Sequence, residues 1–184
     1  MSFGYNRGMK QNFMQLVRRL IALLLGNRLK ICTAESCTGG LIAKSFTDLA
    51  GSSDWFECGF ITYSNASKTK MIAVPESVIS EYGAVSEVVA NAMAIGALRN
   101  STADVSIAVT GIAGPAGGSA DKPVGTVWIA VASDKHSVAK KHLFQGDREA
   151  IRNATMLIAI EMMLRLLETH SKSKKHEQTE SEVP

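Results

Sequence analysis

The sequence predicts an α/β sandwich, a mixed sheet flanked by helices within a single domain. Three observations lead to that class. Short runs rich in β-branched and aromatic residues, such as DWFECGFITY (residues 54 to 63) and VGTVWIAVAS (124 to 133), alternate with longer segments whose apolar residues recur at helical spacing. One run, DVSIAVT (104 to 110), has the near-continuous apolar character of a strand buried on both faces, whereas HSVAKKHLF (136 to 144) can pair with its predecessor through an Asp-Lys turn, so parallel and antiparallel neighbours coexist. At 184 residues, 46% hydrophobic and 20% charged, the chain suits one globular domain with a real core.

The elements follow in order. Residues 1 to 9 read as a flexible arm. From Lys10, Phe13, Leu16, Val17, Leu20, Ile21 and Leu24 recur at helical spacing. ICTA (31 to 34) is a short β-prone run, and Thr38 to Leu49 returns to helix periodicity through Leu41, Ile42, Ser45, Phe46 and Leu49. DWFECGFITY reads as the next strand, ended by the polar turn SNAS, with Lys68 just beyond. PESVISEYG opens a helix with Pro75 and Glu76 and stops it at Gly83, and Ser86 caps the helix in SEVVANAMAIGALRN. After DVSIAVT come the glycine-rich loop GIAGPAGGSADKP and the hairpin. A long helix from Asp147, its N-cap, then closes the domain with Ile151, Ala154, Leu157, Ile158 and Met162 on one face. The domain therefore spans 10 to 170. Residues 171 to 184, with three lysines against three glutamates and almost nothing to bury, read as a disordered tail.

Composition excludes several classes. The densest apolar run, LIALLL, falls far short of the roughly 18 residues that cross a bilayer, and it lacks the small-residue cleavage site of a secretory signal. A cytoplasmic setting is expected. Cys32, Cys37 and Cys58 are an odd count without CxxC or CxxH spacing, so reduced thiols are expected rather than a disulfide framework or zinc site. His136, His142, His170 and His176 share no ligand motif, and no metal or other cofactor is expected. The net charge of +3 comes from scattered Lys and Arg with neither a basic stripe nor an aromatic platform, which fits a small anionic ligand better than nucleic acid.

Four clusters could carry chemistry. In TAESCTGG (33 to 40), Ser36 falls at a strand-to-helix corner, where the N–H groups around Thr38, Gly39 and Gly40 can face a ligand and the glycines permit close approach. Two readings of Ser36 stand side by side, a nucleophile beside an anion hole or a simple helix cap. Cys37 is the rival nucleophile, with no histidine fixed near it. ITYSNASK places Tyr63 at a strand end and Lys68 about a turn later. Where no histidine is near, a lysine is the base on offer, although lowering its pKa from about 10.4 to near 7 takes roughly 4 to 5 kcal/mol. The loop TGIAGPAGGSADKPVG, with Thr110, Gly111 and Gly114, is neither a Walker loop nor GxGxxG, yet it lies where α/β sheets bind ligands. In GDREAIR, Arg148 and Arg152 share a helix face at a helix start, facing either Asp147 and Glu149 or a ligand phosphate.

Together TAESCTGG, YSNASK, GAVSEVVA, TGIAGPAGG, KPVGTVW and GDREAIR, in this order over about residues 10 to 168, closely resemble the CinA C-terminal domain family, the nicotinamide-nucleotide amidases. The resemblance implies a compact α/β fold, commonly dimeric, that hydrolyses the carboxamide of nicotinamide mononucleotide in pyridine-nucleotide recycling, with serine-lysine chemistry and no metal. It also implies a stand-alone member, without the large N-terminal domain of full-length CinA proteins. By motif, Ser36 would be nucleophile, Lys68 its base and Tyr63 a proton relay or orienting group, while Thr110 and Arg148 would contact substrate. The rival expectation is a non-catalytic nucleotide-binding or competence-linked partner-binding module that uses the same pocket.

Overall fold

The computed structural model describes residues 7 to 180, and side chains over 11 to 169. In chain order the elements are α1 (Arg7–Asn27), β1 (Ile31–Glu35), α2 (Leu41–Thr47), β2 (Phe56–Ile61), α3 (Asn65–Ile72), α4 (Glu76–Tyr82), α5 (Glu87–Arg99), β3 (Val105–Gly111), β4 (Thr126–Ser133), β5 (Ser137–Leu143) and α6 (Arg148–Glu180). The strands form one mixed sheet of order β2-β1-β3-β4-β5. β1 pairs in parallel with β2 and β3, and the β3–β4 and β4–β5 pairs are antiparallel.

The period-2 alternation of strands sorts side chains by size onto the two faces. On one face Ile31, Ile107, Val109 and Ile129 meet Val17, Leu20 and Leu24 of α1, Ile42 and Phe46 of α2 and Ile151 and Met163 of α6. Burying each such aliphatic side chain contributes about 1.5 to 3 kcal/mol. The other face carries Cys32, Ala34, Ala108, Ala130 and Ala132 beneath Val89, Ala90, Met93 and Ala97 of α5. Small residues there let α5 approach closely, and the contact extends to α3: a Cβ on Gly96 would sit 2.0 Å from the Ile72 carbonyl oxygen.

Several boundaries differ from the sequence expectations. α1 begins at Arg7, within the expected arm, whose residues 1 to 6 lie outside the described residues. α2 begins at Leu41 rather than Thr38, because 37 to 40 form a turn with Gly39 and Gly40 at φ 58° and 95°, a left-handed region that a helix cannot include. SNAS does not end in a plain turn. Ser64 caps α3, its side chain accepting from the Ser67 N–H at 3.1 Å. α6 continues to Glu180, past the expected boundary at 171, since 171 to 180 contain neither Gly nor Pro and are rich in Lys, Glu and Gln; residues 181 to 184 lie outside the described residues. Along α6 Ile151 and Met162 are buried, whereas Ala154, Leu157 and Ile158 are half-buried. The helix is held from two sides, by the sheet and by α1, and so buries Met156, Ala159, Ile160 and Met163 as well.

Candidate active site

Successive residues at the end of β1 point to opposite faces, and that separates Glu35 from Ser36. Ser36 extends the ladder by one bond, its N–H donating to Val109 O at 3.1 Å, before the chain turns through the glycine pair into α2. The Glu35 carboxylate, fully buried, lies under the N-terminus of α2. It accepts from the N–H groups of Gly40 at 3.0 Å, Ile42 at 3.1 Å and Ala43 at 2.8 Å. Leu41 donates to Thr38 O at 3.4 Å and Gly39 to Ser36 O at 3.1 Å. The amides of Gly39 and Gly40, expected to face a ligand, are thus engaged inside the protein, because the helix start satisfies its own free donors. The N–H groups of Cys37 and Thr38 donate to no main-chain carbonyl among the described residues, and the Cys37 N–H lies against its own thiol sulfur. The Thr38 hydroxyl is likewise buried without a partner.

α3 presents Lys68 and Ile72 inward, and Lys68 is only 1% exposed. Its Nζ lies 3.2 Å from Ser36 Oγ and donates to Thr62 O at 2.9 Å. Ser36 Oγ is also 3.5 Å from Tyr63 O. Burial pushes the Lys68 pKa below the ordinary lysine value, opposed only in part by the nearby Cys37 thiol. No carboxylate forms an ion pair with Lys68 among the described residues. An uncharged amine here can keep its bond to Thr62 O and turn its lone pair toward the serine hydroxyl. Cys37 is a poor alternative nucleophile, because burial pushes its thiol up to about 12.

The remaining motif residues line the rim. Tyr63, 60% exposed, does not place its hydroxyl on Ser36 or Lys68; Tyr63 Oη accepts from Arg148 Nη2 at 3.2 Å. Arg148 Nη1 donates to Gly114 O at 2.8 Å, so one guanidinium ties the glycine-rich loop to the tyrosine. Thr110, at the end of β3, is buried, and its hydroxyl donates to Ala84 O at 2.8 Å rather than standing free in the crevice. Gly111 is required by close approach, for a Cβ there would lie 2.8 Å from Thr126 O. Arg152 donates to Thr38 O, with its Nε buried and unpartnered. Neither Arg148 nor Arg152 meets a carboxylate within 4.0 Å among the described residues; Asp147 instead caps α6, accepting from Ala150 N–H at 2.9 Å.

The structure therefore brings Ser36 and Lys68 into contact, and groups Tyr63, Gly114 and Arg148 as a cationic rim. Among the described residues, no group of three or more His, Cys, Asp or Glu side chains could hold a metal ion, and no helix is long and apolar enough to cross a membrane. Sequence reasoning assigns no role to the Glu35 carboxylate or to the carbonyls of Thr62 and Tyr63. Glu35 carries one signal: a carboxylate at the end of the short β-prone run ICTA needs an internal partner if that strand is buried between two neighbours.

Residues 13–167 match the family model of the CinA C-terminal domain. Among similar proteins are the nicotinamide-nucleotide amidohydrolases PncC of Enterobacter agglomerans, 54% identical over 73% of this chain and 83% of that protein, and of Escherichia coli strain K12, 48% identical over 82% and 92%. The crystal structure of the competence/damage inducible protein CihA from Agrobacterium tumefaciens superposes with a TM-score of 0.83 at 42% identity, covering 90% of this chain and 99% of that one. A competence-damaged protein (CinA) superfamily structure from Escherichia coli gives 0.80 at 36% identity over 84% and 90%.

Proposed function

This chain belongs to the CinA C-terminal domain family, and we propose from that membership and from the site geometry that it is a nicotinamide-nucleotide amidohydrolase. The substrate we assign is nicotinamide mononucleotide, converted to nicotinate mononucleotide and ammonia. The observation that carries the chemistry is the buried amine of Lys68, shifted toward its neutral form, 3.2 Å from a serine hydroxyl at a strand-to-helix corner.

Neutral Lys68 takes the Ser36 proton as Ser36 Oγ attacks the carboxamide carbon. The charge that develops on the carboxamide oxygen falls to the N–H groups of Cys37 and Thr38, which donate to no main-chain carbonyl; loss of one such donor typically costs about 10²- to 10³-fold in rate. Protonated Lys68 returns its proton to the departing nitrogen, ammonia leaves, and water clears the acyl-enzyme by the same route. The position of Tyr63, bonded to Arg148, supports an orienting role at the rim more than a relay at the nucleophile. Arg148, Arg152 and the glycine-rich loop offer cationic and N–H donors without carboxylate partners, which supports a 5′-phosphate anchor remote from the amide; binding energy there positions the reacting carbon. Thr110 acts by holding the Ala84 carbonyl at the crevice wall. A homodimer in the cytoplasm completes the proposal, checked for assembly by sedimentation.

The test is ammonia release from nicotinamide mononucleotide by the purified protein, read beside a thermal shift with the same compound. Turnover is expected. Stabilisation by the nucleotide without any ammonia would overturn the proposal in favour of a binding module.

A further inference from the structure

The residue just before the nucleophile is the least explained charge in the molecule. Glu35 is fully buried, belongs to a strand whose five residues are all buried, and forms no ion pair among the described residues. A carboxylate so placed persists only with a full set of donors. It has them: three main-chain N–H groups from the first turn of α2, divided between its two oxygens. α2 has no side-chain cap of its own at Gly40, so Glu35 serves as its cap from five residues upstream. With Leu41 bonded to Thr38 O, all four amides from Gly40 to Ala43 are satisfied.

We propose that Glu35 is a positioning residue for the amidase reaction, holding the turn from Ser36 to Gly40 so that the Cys37 and Thr38 N–H groups stay free and aimed at the developing oxyanion. The proposal rests on the function assigned above. Its warrant is a closed ring of contacts. The Glu35 main chain is fixed by Thr62 N–H at 2.8 Å, Ser36 by Val109 O and Thr38 by Arg152, while the Glu35 side chain fixes the far end of the turn. Removing the carboxylate takes three of the bonds from that end and leaves it to the longer Leu41 bond to Thr38 O and to the helix bond from Lys44 to Gly40 O, across a glycine pair whose backbone is the freest in the turn. The choice of glutamate over glutamine follows from the donors. Both carboxylate oxygens accept, whereas a glutamine would turn an NH₂ toward either Ala43 N–H or the Gly40 and Ile42 pair, opposing donor to donor. The Glu35 carboxylate faces the three amides at the positive end of α2 and makes no ion pair with Lys68.

The experiment compares wild type, Glu35→Gln and Glu35→Asp in steady-state ammonia release from nicotinamide mononucleotide, with circular dichroism and amide hydrogen exchange on each. Wild type is measured first, and its inactivity would defeat the function rather than this inference. Given an active wild type, Glu35→Gln is expected to lose about 10²-fold or more in kcat, with KM within about threefold, because the phosphate contacts at Arg148 are untouched. Exchange should quicken at Gly40, Ile42 and Ala43. Glu35→Asp, which keeps the charge on a shorter arm, should fall between the two. A kcat within about threefold of wild type in a folded Glu35→Gln protein, or a loss borne by KM alone, overturns the proposal. If Glu35→Gln does not fold, the same split read on Glu35→Asp decides.

Discussion

Two basic side chains of the site, Lys68 and Arg148, are treated in opposite ways. Lys68, on α3, is buried against the Thr62 carbonyl and the Ser36 hydroxyl, whereas Arg148, at the start of α6, is exposed and bridges Gly114 O to Tyr63 Oη. Neither has a carboxylate partner among the described residues, so the difference lies in solvent and in side-chain chemistry. Burial lowers the cost of losing a proton from an amine, which suits Lys68 to the role of base proposed for it. A guanidinium keeps its charge in any setting, and at the rim it serves as a lasting partner for an anion. In the proposed reaction the inner region moves a proton and the outer one holds a charge.

Substitutions should pull these regions apart. The largest effect is expected for Ser36→Ala, which removes the attacking atom and should reduce ammonia release about 10⁵-fold or more while circular dichroism stays unchanged. Lys68→Met comes next, with a kcat loss of about 10³- to 10⁴-fold and little change in KM. It also has a stability signature. Because the folded pKa of Lys68 lies below its unfolded value, the unfolded chain binds more protons between the two. Stability therefore rises with pH across that window, and the cost of burying the amine is fully present below it. Lys68→Met should melt at a higher temperature than wild type at neutral pH, by a margin that shrinks toward pH 10.5. At the rim the pattern reverses: Arg148→Met should raise KM by about 10- to 100-fold and leave kcat within a few-fold, as loss of charged hydrogen bonds to a bound phosphate requires. A kcat-only defect there would merge the two regions. The smallest effect is Ser64→Ala, which removes the cap of the helix that carries Lys68 and should cost about 1 kcal/mol in denaturant unfolding with only a modest change in turnover.

The inner and outer regions are not equally legible from sequence. Periodicity locates every strand and most helices, and cap chemistry marks Ser86 and Gly83 correctly, because these are local signals. α3 reads as a turn. Its few residues have little amphipathic contrast and carry a lysine on the buried side, which hydropathy assigns to water. The contact between Ser36 and Lys68 follows from chemistry, by the need of a hydroxyl for a base, and no pattern in the sequence states that the two side chains meet. Of the three amides expected to face a ligand, those of Gly39 and Gly40 are engaged inside the protein, whereas that of Thr38 donates to no carbonyl among the described residues. Gly39 is taken by the Ser36 carbonyl within the turn and Gly40 by the Glu35 carboxylate, and a side chain that folds back onto its own downstream turn leaves no trace in spacing. Tyr63 shows the same limit. Its position at a strand end is readable, but the direction of its hydroxyl depends on Arg148, 85 positions away.

The proposed catalysis turns on one proton. Selective observation of the Lys68 side-chain methylene beside Nζ by carbon-13 NMR across a pH titration reports the protonation of that single amine in the folded protein. A midpoint clearly below the ordinary lysine value of 10.5, paralleled by the acid limb of kcat/KM for ammonia release, is the predicted result. A midpoint at or above 10.5, with Thr62 O and Ser36 Oγ stabilising a charged amine, would contradict it and remove Lys68 as the base.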